Sequence, residues 1–149
     1  MQTQLSADQR DALAILLLRL GLGWFLLVWA VNKILAPGQY AKIWDYFHGI
    51  AIGPDMPYYM GAAQIALSLA IMLGVFRTAS YALGFVAHGV TVAVVLPSLL
   101  APFVIEKGFP VNRNQAIALV ALAGFAALWL LRHRDRWSVD VWWASRRTP

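Results

Sequence analysis

The chain has 149 residues, of which 60% are hydrophobic and only 13% are charged, and its mean hydropathy is +0.63. Because a soluble domain averages about a quarter charged residues, this composition predicts a membrane protein. The chain contains no cysteine, which excludes disulfides, thiolate metal sites and cysteine nucleophiles.

The first apolar segment spans residues 12–34 and carries two cations, Arg19 and Lys33. About 20 apolar residues cross the hydrocarbon layer, and the segment is too long for the core of a signal peptide. We therefore expect an uncleaved transmembrane helix. At 3.6 residues per turn both cations fall on one stripe of this helix, roughly 21 Å apart at about 1.5 Å of rise per residue.

Residues 39–50 form the next segment, which is too polar to cross a membrane. Its aromatic and aliphatic side chains recur at the i, i+3, i+4 and i+7 positions of a helix, namely Tyr40, Ile43, Trp44 and Phe47. This spacing predicts an amphipathic helix that lies in the membrane interface.

Three further apolar spans are predicted at residues 57–76, 79–105 and 115–131, followed by a basic C-terminal tail, 132–149. Pro97 and Pro102 predict a kink or an early end in the third span. Residues 1–149 are therefore predicted to form a single membrane domain. Its expected fold is all-α, an integral membrane four-helix bundle with an interfacial helix between the first and second spans.

Four crossings place both termini on the same side of the membrane. That side carries eight of the twelve cations: Arg10, Arg19, Arg77, Arg132, Arg134, Arg136, Arg146 and Arg147. The other side carries Lys33, Lys42, Lys107 and Arg113. By the positive-inside rule this asymmetry predicts a multi-pass protein of the bacterial cytoplasmic (inner) membrane with both termini cytoplasmic. The basic charge is then a topology signal that also favours anionic lipids, and nucleic acid is not expected as a partner.

Arg19 and Lys33 are the first candidate site residues. A charge at bilayer depth costs on the order of 2.5–3.5 kcal/mol on insertion scales, and no Asp or Glu lies deep within any predicted span. Arg19 is expected either to reach lipid phosphates or to bind helix-end carbonyls or an electron-rich ligand. Lys33 is expected either to anchor the helix at the interface or to close the outer end of a polar face.

Gln64, His88 and Trp29 complete the candidate site. Gln64 either joins helices or binds a ligand, and His88 is a proton carrier, a metal ligand or part of an interhelical hydrogen bond. Because the topology separates His48, His88 and His133, no metal site is predicted. Trp29 either belongs to the aromatic belt or stacks on a planar ligand ring.

The sequence from Arg19 to Gly23, Arg-Leu-x-x-Gly, followed by Lys33, resembles the DoxX family of four-helix bacterial membrane proteins. The run 64–79 resembles a motif of that family in which an acidic residue is followed by a glycine and then by an arginine-containing turn. The matching positions in this chain are Gly74 and Arg77. The run 130–135, Leu-Leu-Arg-His-Arg-Asp, is similar to tails of some members.

The resemblance implies a four-helix membrane fold tied to redox chemistry. The related DoxD proteins are the membrane subunit of a thiosulfate:quinone oxidoreductase, and the wider superfamily includes the membrane part of vitamin K-dependent carboxylase. This chain has Gln64 where the family often has glutamate. A neutral amide cannot act as a general base, so a proton-transfer role of that glutamate does not carry over.

Two functions from different classes follow. The first is a quinone- or lipid-ligand-binding subunit associated with a membrane oxidoreductase, acting on sulfur compounds or thiols, with quinone as cofactor, no metal and a redox partner subunit. Its ligand-binding residues would be Arg19, Trp29, Lys33, Gln64 and His88. The second is a non-catalytic assembly protein that docks a partner. Membrane lipids and a homo- or hetero-oligomer are expected in both cases, catalytic residues are not identified, and the residues leave open whether the chain is an enzyme.

Overall fold

The computed structural model describes residues 5–106, 109–110 and 112–147, so that Lys107, one of the cations counted above, lies outside the described residues. The helices in chain order are α1 (Ala7–Leu35), α2 (Pro37–His48), α3 (Met56–Leu73), α4 (Arg77–Val94), α5 (Leu96–Leu100), α6 (Ala116–Leu130) and α7 (Val139–Arg147). Two short antiparallel strands, β1 (Ile105–Glu106) and β2 (Phe109–Pro110), pair in the loop before α6. The predicted all-α class is confirmed.

Helix α1 begins at a capping box, in which the Ser6 hydroxyl accepts from the Gln9 amide and the Gln9 side chain accepts from the Ser6 amide. This reciprocal pair satisfies two backbone donors that a helix start leaves free. One stripe of α1 is buried over its whole length: Ala12, Ile15, Arg19, Leu22, Gly23, Leu26, Ala30 and Lys33. The predicted stripe that carries both cations is therefore confirmed.

The kink or early end predicted in the third span, 79–105, is confirmed. Helix α4 ends at Val94, and Pro97 lies in the first turn of the separate helix α5, which ends at Leu100. Proline has no N–H to donate to the preceding turn, and its ring crowds the carbonyl four residues back. The helix predicted over residues 39–50 is also found. It corresponds to α2, which covers most of that segment.

The four longest helices pack in a closed cycle, with α1 against α3, α3 against α4, α4 against α6, and α6 against α1. They share one apolar core cluster: Ile15, Leu22, Leu26, Ile71, Tyr81, Ala121, Phe125 and Leu128. Small residues permit close approach, since a Cβ added to Gly61 of α3 would lie 3.0 Å from the Ala30 carbonyl oxygen of α1. Such small residues at helix contacts are typical of membrane helices.

Within the described part of the chain, α1 and α3 are long and apolar enough to cross a membrane. Only 33% of the most apolar stretch of α1 and 22% of that of α3 are buried inside the protein. Large apolar side chains on all four helices are exposed instead: Leu17, Trp24 and Val28 on α1, Leu69 and Leu73 on α3, Leu83, Val86 and Val90 on α4, and Ile117, Val120 and Leu130 on α6. Exposed apolar surface of this extent is typical of proteins that contact lipid or another protein.

Candidate functional site

Two groups of polar side chains lie at opposite ends of the α1 stripe. We call the end that carries Arg19 and both described chain ends the inner end, and the end that carries Lys33 the outer end. At the inner end the exposed carboxylates Asp8 and Asp11 of α1 pair with Arg136 and Arg134, at 2.9 Å in each case. The N-terminal and C-terminal segments therefore meet at the same end of the helices.

The inner cluster consists of Arg19 on α1, Tyr81 on α4 and Asp135 in the turn that follows α6. Nη1 of Arg19 lies 3.2 and 3.1 Å from the two carboxylate oxygens of Asp135, and the Tyr81 hydroxyl donates to Oδ2 of Asp135 at 2.5 Å. Nη2 of Arg19 donates to the Trp137 carbonyl. Arg19 is 4% exposed and Asp135 is 0% exposed, so a buried, hydrogen-bonded ion pair links three parts of the chain.

This pair overturns the expectation that Arg19 has no acidic partner at its depth. The carboxylate comes from Asp135, which lies 116 residues away in sequence and outside every predicted span. The turn after α6 folds back against the inner end of the helices, where the hydroxyl of Ser138 and Nη1 of Arg77 both donate to the Asp135 carbonyl. The chain thus supplies its own anion to Arg19, which needs no ligand from outside for charge compensation.

Asp140, in the first turn of α7, fixes the same segment to the start of α4. Its two carboxylate oxygens accept from the backbone amides of Phe76 and Arg77, at 2.9 and 2.8 Å. Its own amide donates to the Gly74 carbonyl at 3.3 Å. A carboxylate at a helix N-terminus binds otherwise unsatisfied amides and favours the helix dipole. Residues 135–140 therefore form a cap over the inner end, attached to α1, α3 and α4.

Replacing Gly74 by alanine is expected to destabilise the protein. Gly74 has φ +68°, where a side chain costs roughly 1–2 kcal/mol, and an added Cβ would lie 2.6 Å from the Ser138 Cβ, for which overpacking costs about 1–3 kcal/mol more. The matched control is Gly49→Ala, because Gly49 has φ +64° and nothing within 4 Å of an added Cβ. Denaturant unfolding in detergent measures both variants, and equal losses of stability would show that the cap does not press on Gly74.

His88 of α4 lies between the two clusters, among apolar side chains. Its ring packs at 5.4 Å from that of Phe25 on α1 and at 5.7 Å from that of Phe125 on α6. Its Nε2 lies 2.9 Å from the Ala118 carbonyl oxygen of α6, a distance that requires the proton on Nε2 because the carbonyl only accepts. Of the three roles that the sequence left open for His88, the structure shows the interhelical hydrogen bond, which joins α4 to α6.

The outer cluster consists of Lys33 on α1, Tyr40 on α2 and Gln64 on α3. Nζ of Lys33 donates to Oε1 of Gln64 at 2.6 Å, and Nε2 of Gln64 donates to the Leu26 carbonyl at 3.0 Å. The hydrogen bond from Nε2 to the Leu26 carbonyl therefore fixes the orientation of the Gln64 side chain and leaves Oε1 to accept from Lys33. Lys33 is 8% exposed, and among the described residues no acidic side chain pairs with it.

The two remaining contacts of the Lys33 ammonium are weak. Its Nζ lies 3.5 Å from the Trp29 carbonyl oxygen, at the limit of a hydrogen bond. It also lies 4.8 Å from the centre of the Tyr40 ring, which attracts a cation through its π face. Burial raises the pKa of the Tyr40 phenol, so that this ring stays neutral. One strong hydrogen bond thus serves an ammonium that has three protons to donate.

The structure distributes the five predicted site residues over three places. Arg19 belongs to the inner cluster, His88 to the apolar middle, and Lys33 and Gln64 to the outer cluster. Trp29 contributes its carbonyl to Lys33, while its side chain is 52% exposed on the outside of α1. No hydrogen bond or ion pair described for Arg19 or His88 reaches Lys33 or Gln64.

Sequence reasoning missed Asp135 and Tyr40 as site residues. Asp135 is the one acid in the run Arg132–Arg136, and the predicted topology already put that run on the same side as Arg19. The need of Arg19 for a counter-ion could therefore have pointed to it. Tyr40 was assigned to the interface. The chain reverses at Ala36, between α1 and α2, and this brings the Tyr40 ring over Lys33.

Two cavities of about 310 and 430 Å³ lie at the inner end, where the N-terminal turn of α1 meets the C-terminal segment. Residues that line them include Asp8, Asp11, Arg134 and Arg136. Neither cavity is lined by a residue of the outer cluster. In the part of the chain that the structure describes, no group of three or more His, Asp or Glu side chains is placed to hold a metal ion.

The fold and the two clusters define a class of protein: an all-α chain with apolar helix faces exposed and with two of its described cations, Arg19 and Lys33, buried between the helices. Comparison with protein families, with curated proteins and with solved structures finds no match. Function must therefore be argued from the two clusters themselves.

Proposed function

We propose that the chain is a DoxX-like, multi-pass protein of the bacterial inner membrane, in which α1, α3, α4 and α6 form a four-helix membrane bundle. The apolar side chains that these helices expose would then contact lipid. The ion pairs between α1 and the C-terminal segment support an even number of crossings, since they keep both described chain ends together. The excess of arginine at that end supports a cytoplasmic location for both termini.

We propose further that the outer cluster binds the head group of a quinone or of a similar lipid ligand. The observation that carries this proposal is Lys33, a buried ammonium with one strong hydrogen bond and no acidic partner among the described residues. A ligand carbonyl that replaced its weak contact with the Trp29 carbonyl would accept a charge-assisted hydrogen bond. Gln64 would orient Lys33, and the exposed ring of Trp29, one turn before Lys33 on α1, would offer an apolar surface to a planar ring.

The proposed site is smaller than the five residues that the sequence suggested. Arg19 is excluded because Asp135 and the Trp137 carbonyl occupy its terminal nitrogens. His88 is excluded because its Nε2 is engaged with Ala118 and its ring lies between two phenylalanine rings. A ligand at the outer cluster would enter from the outer leaflet, where the ubiquinone or menaquinone pool of a membrane can reach it.

In this role the chain would be the quinone-binding subunit of a membrane oxidoreductase and would need a partner to supply electrons. The chain has no cysteine, and neither cluster contains a group that exchanges electrons by itself. A cofactor such as quinone carries that chemistry, while the protein binds and orients it.

Purification in a mild detergent followed by mass spectrometry tests this function. We expect quinone to be retained with the protein and a second, redox-active subunit to copurify in fixed stoichiometry. Purified protein that carries lipid but no quinone, and that binds neither ubiquinone nor menaquinone when these are added, would contradict the proposal.

A second candidate is an assembly protein without a ligand. It is favoured by the inner cluster, where a charged residue at depth is neutralised within the chain and serves to hold the helices together. The apolar faces of α4 and α6 would then contact a partner helix or a second copy. A plain homo-oligomer without quinone in the same purification would favour this candidate over the first.

A further inference from the structure

Helix α7 and the turn before it form a basic and aromatic surface at the inner end. Three half-exposed tryptophans lie there, Trp137, Trp142 and Trp143, together with the exposed arginines Arg146 and Arg147. The guanidinium of Arg146 lies 3.9 Å from the centre of the Trp142 ring. Tryptophan rings with arginines beside them are typical of protein surfaces at the boundary between acyl chains and head groups.

The position of this surface is fixed by the cap. Asp140 holds the first turn of α7 on the amides of Phe76 and Arg77, and Asp135 holds the preceding turn on Arg19. Helix α7 therefore cannot swing away from the inner end without breaking hydrogen bonds to α1 and α4. Apolar side chains at the ends of the neighbouring helices continue the surface: Leu73, Phe76, Leu130 and Leu131.

The charged groups that this surface exposes are cationic. Both acidic residues of the segment are engaged by groups of the protein, Asp135 by Arg19 and Asp140 by the amides at the start of α4. Among the described residues, no ion pair with an acidic side chain involves Arg146 or Arg147. The surface therefore presents guanidinium groups that no described carboxylate neutralises, and their planar fork of donors suits phosphate oxygens.

We propose that the α7 surface binds the phosphate groups of anionic phospholipids in the inner-end leaflet, with Trp137, Trp142 and Trp143 at the level of the head groups. This inference rests on the membrane placement proposed above but does not depend on the quinone site. Charge complementarity and the continuity with the exposed apolar helix ends both point to a lipid surface as the occupant. Arg146 and Arg147 select anionic lipid, and the tryptophans set the depth.

A spin label tests the proposal in the full chain, which has no native cysteine. Ala144→Cys places the label on an exposed position of α7, and its collisions with a water-soluble nickel chelate report its depth. The protein is compared in vesicles of phosphatidylcholine alone and in vesicles that also contain phosphatidylglycerol. We expect the label to lose accessibility to the chelate in the anionic vesicles and to regain it at high salt, because salt screens the attraction.

The charge variant is Arg146→Gln/Arg147→Gln, which should abolish the difference between the two kinds of vesicle. Its matched control is Arg10→Gln, which removes an exposed arginine at the same end and should leave the difference intact. Equal accessibility in both vesicles, or loss of the difference in the Arg10 variant as well, would overturn the proposal. The proposal would also be overturned if the label at position 144 lost accessibility to the chelate only when a soluble polyanion was added, and not when the vesicles contained anionic lipid.

Alkaline carbonate extraction of the same vesicles separates this outcome from a failure of the membrane placement. Protein that stays in the membrane but shows no dependence on anionic lipid would contradict the α7 inference alone. Protein that is extracted by carbonate would contradict the membrane placement itself, and with it the basis of both proposals.

Discussion

Replacing Asp135 by alanine is expected to lower the free energy of unfolding by about 3–5 kcal/mol, as is typical when one partner of a buried ion pair is removed. The variant leaves the guanidinium of Arg19 buried, with the Trp137 carbonyl as its remaining hydrogen-bond acceptor. It also leaves the Tyr81 hydroxyl without its partner. In addition the cap loses its side-chain contacts with Arg19 and Tyr81, so that α7 is expected to become more accessible to protease.

Denaturant unfolding in detergent measures this effect, with Asp11→Ala as the control. Asp11 also pairs with an arginine of the C-terminal segment, but that pair is exposed, and exposed pairs contribute about 0–1 kcal/mol. The double variant Arg19→Met/Asp135→Leu should recover much of the loss, because it removes both buried charges. A loss for Asp135→Ala no larger than that for Asp11→Ala would show that the inner cluster does not hold the protein together.

Replacing Lys33 by methionine is expected to weaken quinone binding about tenfold to a hundredfold, the equivalent of a hydrogen bond to a charged group, about 1.5–3 kcal/mol. Methionine preserves much of the length and the apolar character of the side chain, so packing between α1 and α3 should change little. The stability of the variant should not fall, since it removes a buried cation that lacks an acidic partner among the described residues. Binding and stability thus change independently.

Titration of the protein in lipid nanodiscs with menaquinone and with ubiquinone measures the affinity. Lys42→Met is the matched control, because Lys42 lies exposed on α2 and carries the same charge near the same end. An equal loss of affinity in the two variants would mean that general charge at the outer end, rather than a hydrogen bond from Lys33, determines binding.

The periodicity of the sequence predicted the parts of the fold that depend on one helix at a time. The stripe of α1 that carries both cations follows from 3.6 residues per turn, and its members from Ala12 to Lys33 are buried. The helix α2 and the interruption at Pro97 follow from local chemistry in the same way. These features need no knowledge of which helices are neighbours.

The parts of the site that bring together residues far apart in the sequence were not predictable in this way. The pairing of Arg19 with Asp135 joins positions 116 residues apart, and no pattern within either segment encodes it. The Asp135 carboxylate lies in a turn that the sequence assigned to the basic C-terminal tail, outside every predicted span. By contrast, Lys33 and Gln64 were both placed toward the outer side, because each lies in that half of its own span, although their hydrogen bond was not foreseen.

Because the two clusters are separate, the two cations on α1 have different roles. Arg19 is bound by the chain itself and contributes to folding, whereas Lys33 keeps donor capacity for a ligand. A single stripe of one helix therefore carries a structural cation at one end and a proposed binding cation at the other.

The most direct test of the outer site is the distance between Lys33 and a bound quinone. Solid-state NMR on the protein in lipid bilayers, with ¹⁵N at lysine Nζ and ¹³C at the quinone carbonyls, measures it, and Lys33→Met assigns the signal among the three lysines of the chain. We expect a dipolar coupling that corresponds to a hydrogen bond between Lys33 Nζ and one carbonyl, absent in the variant. A bound quinone with no coupling to Lys33, or with the same coupling in Lys33→Met, would contradict the assignment.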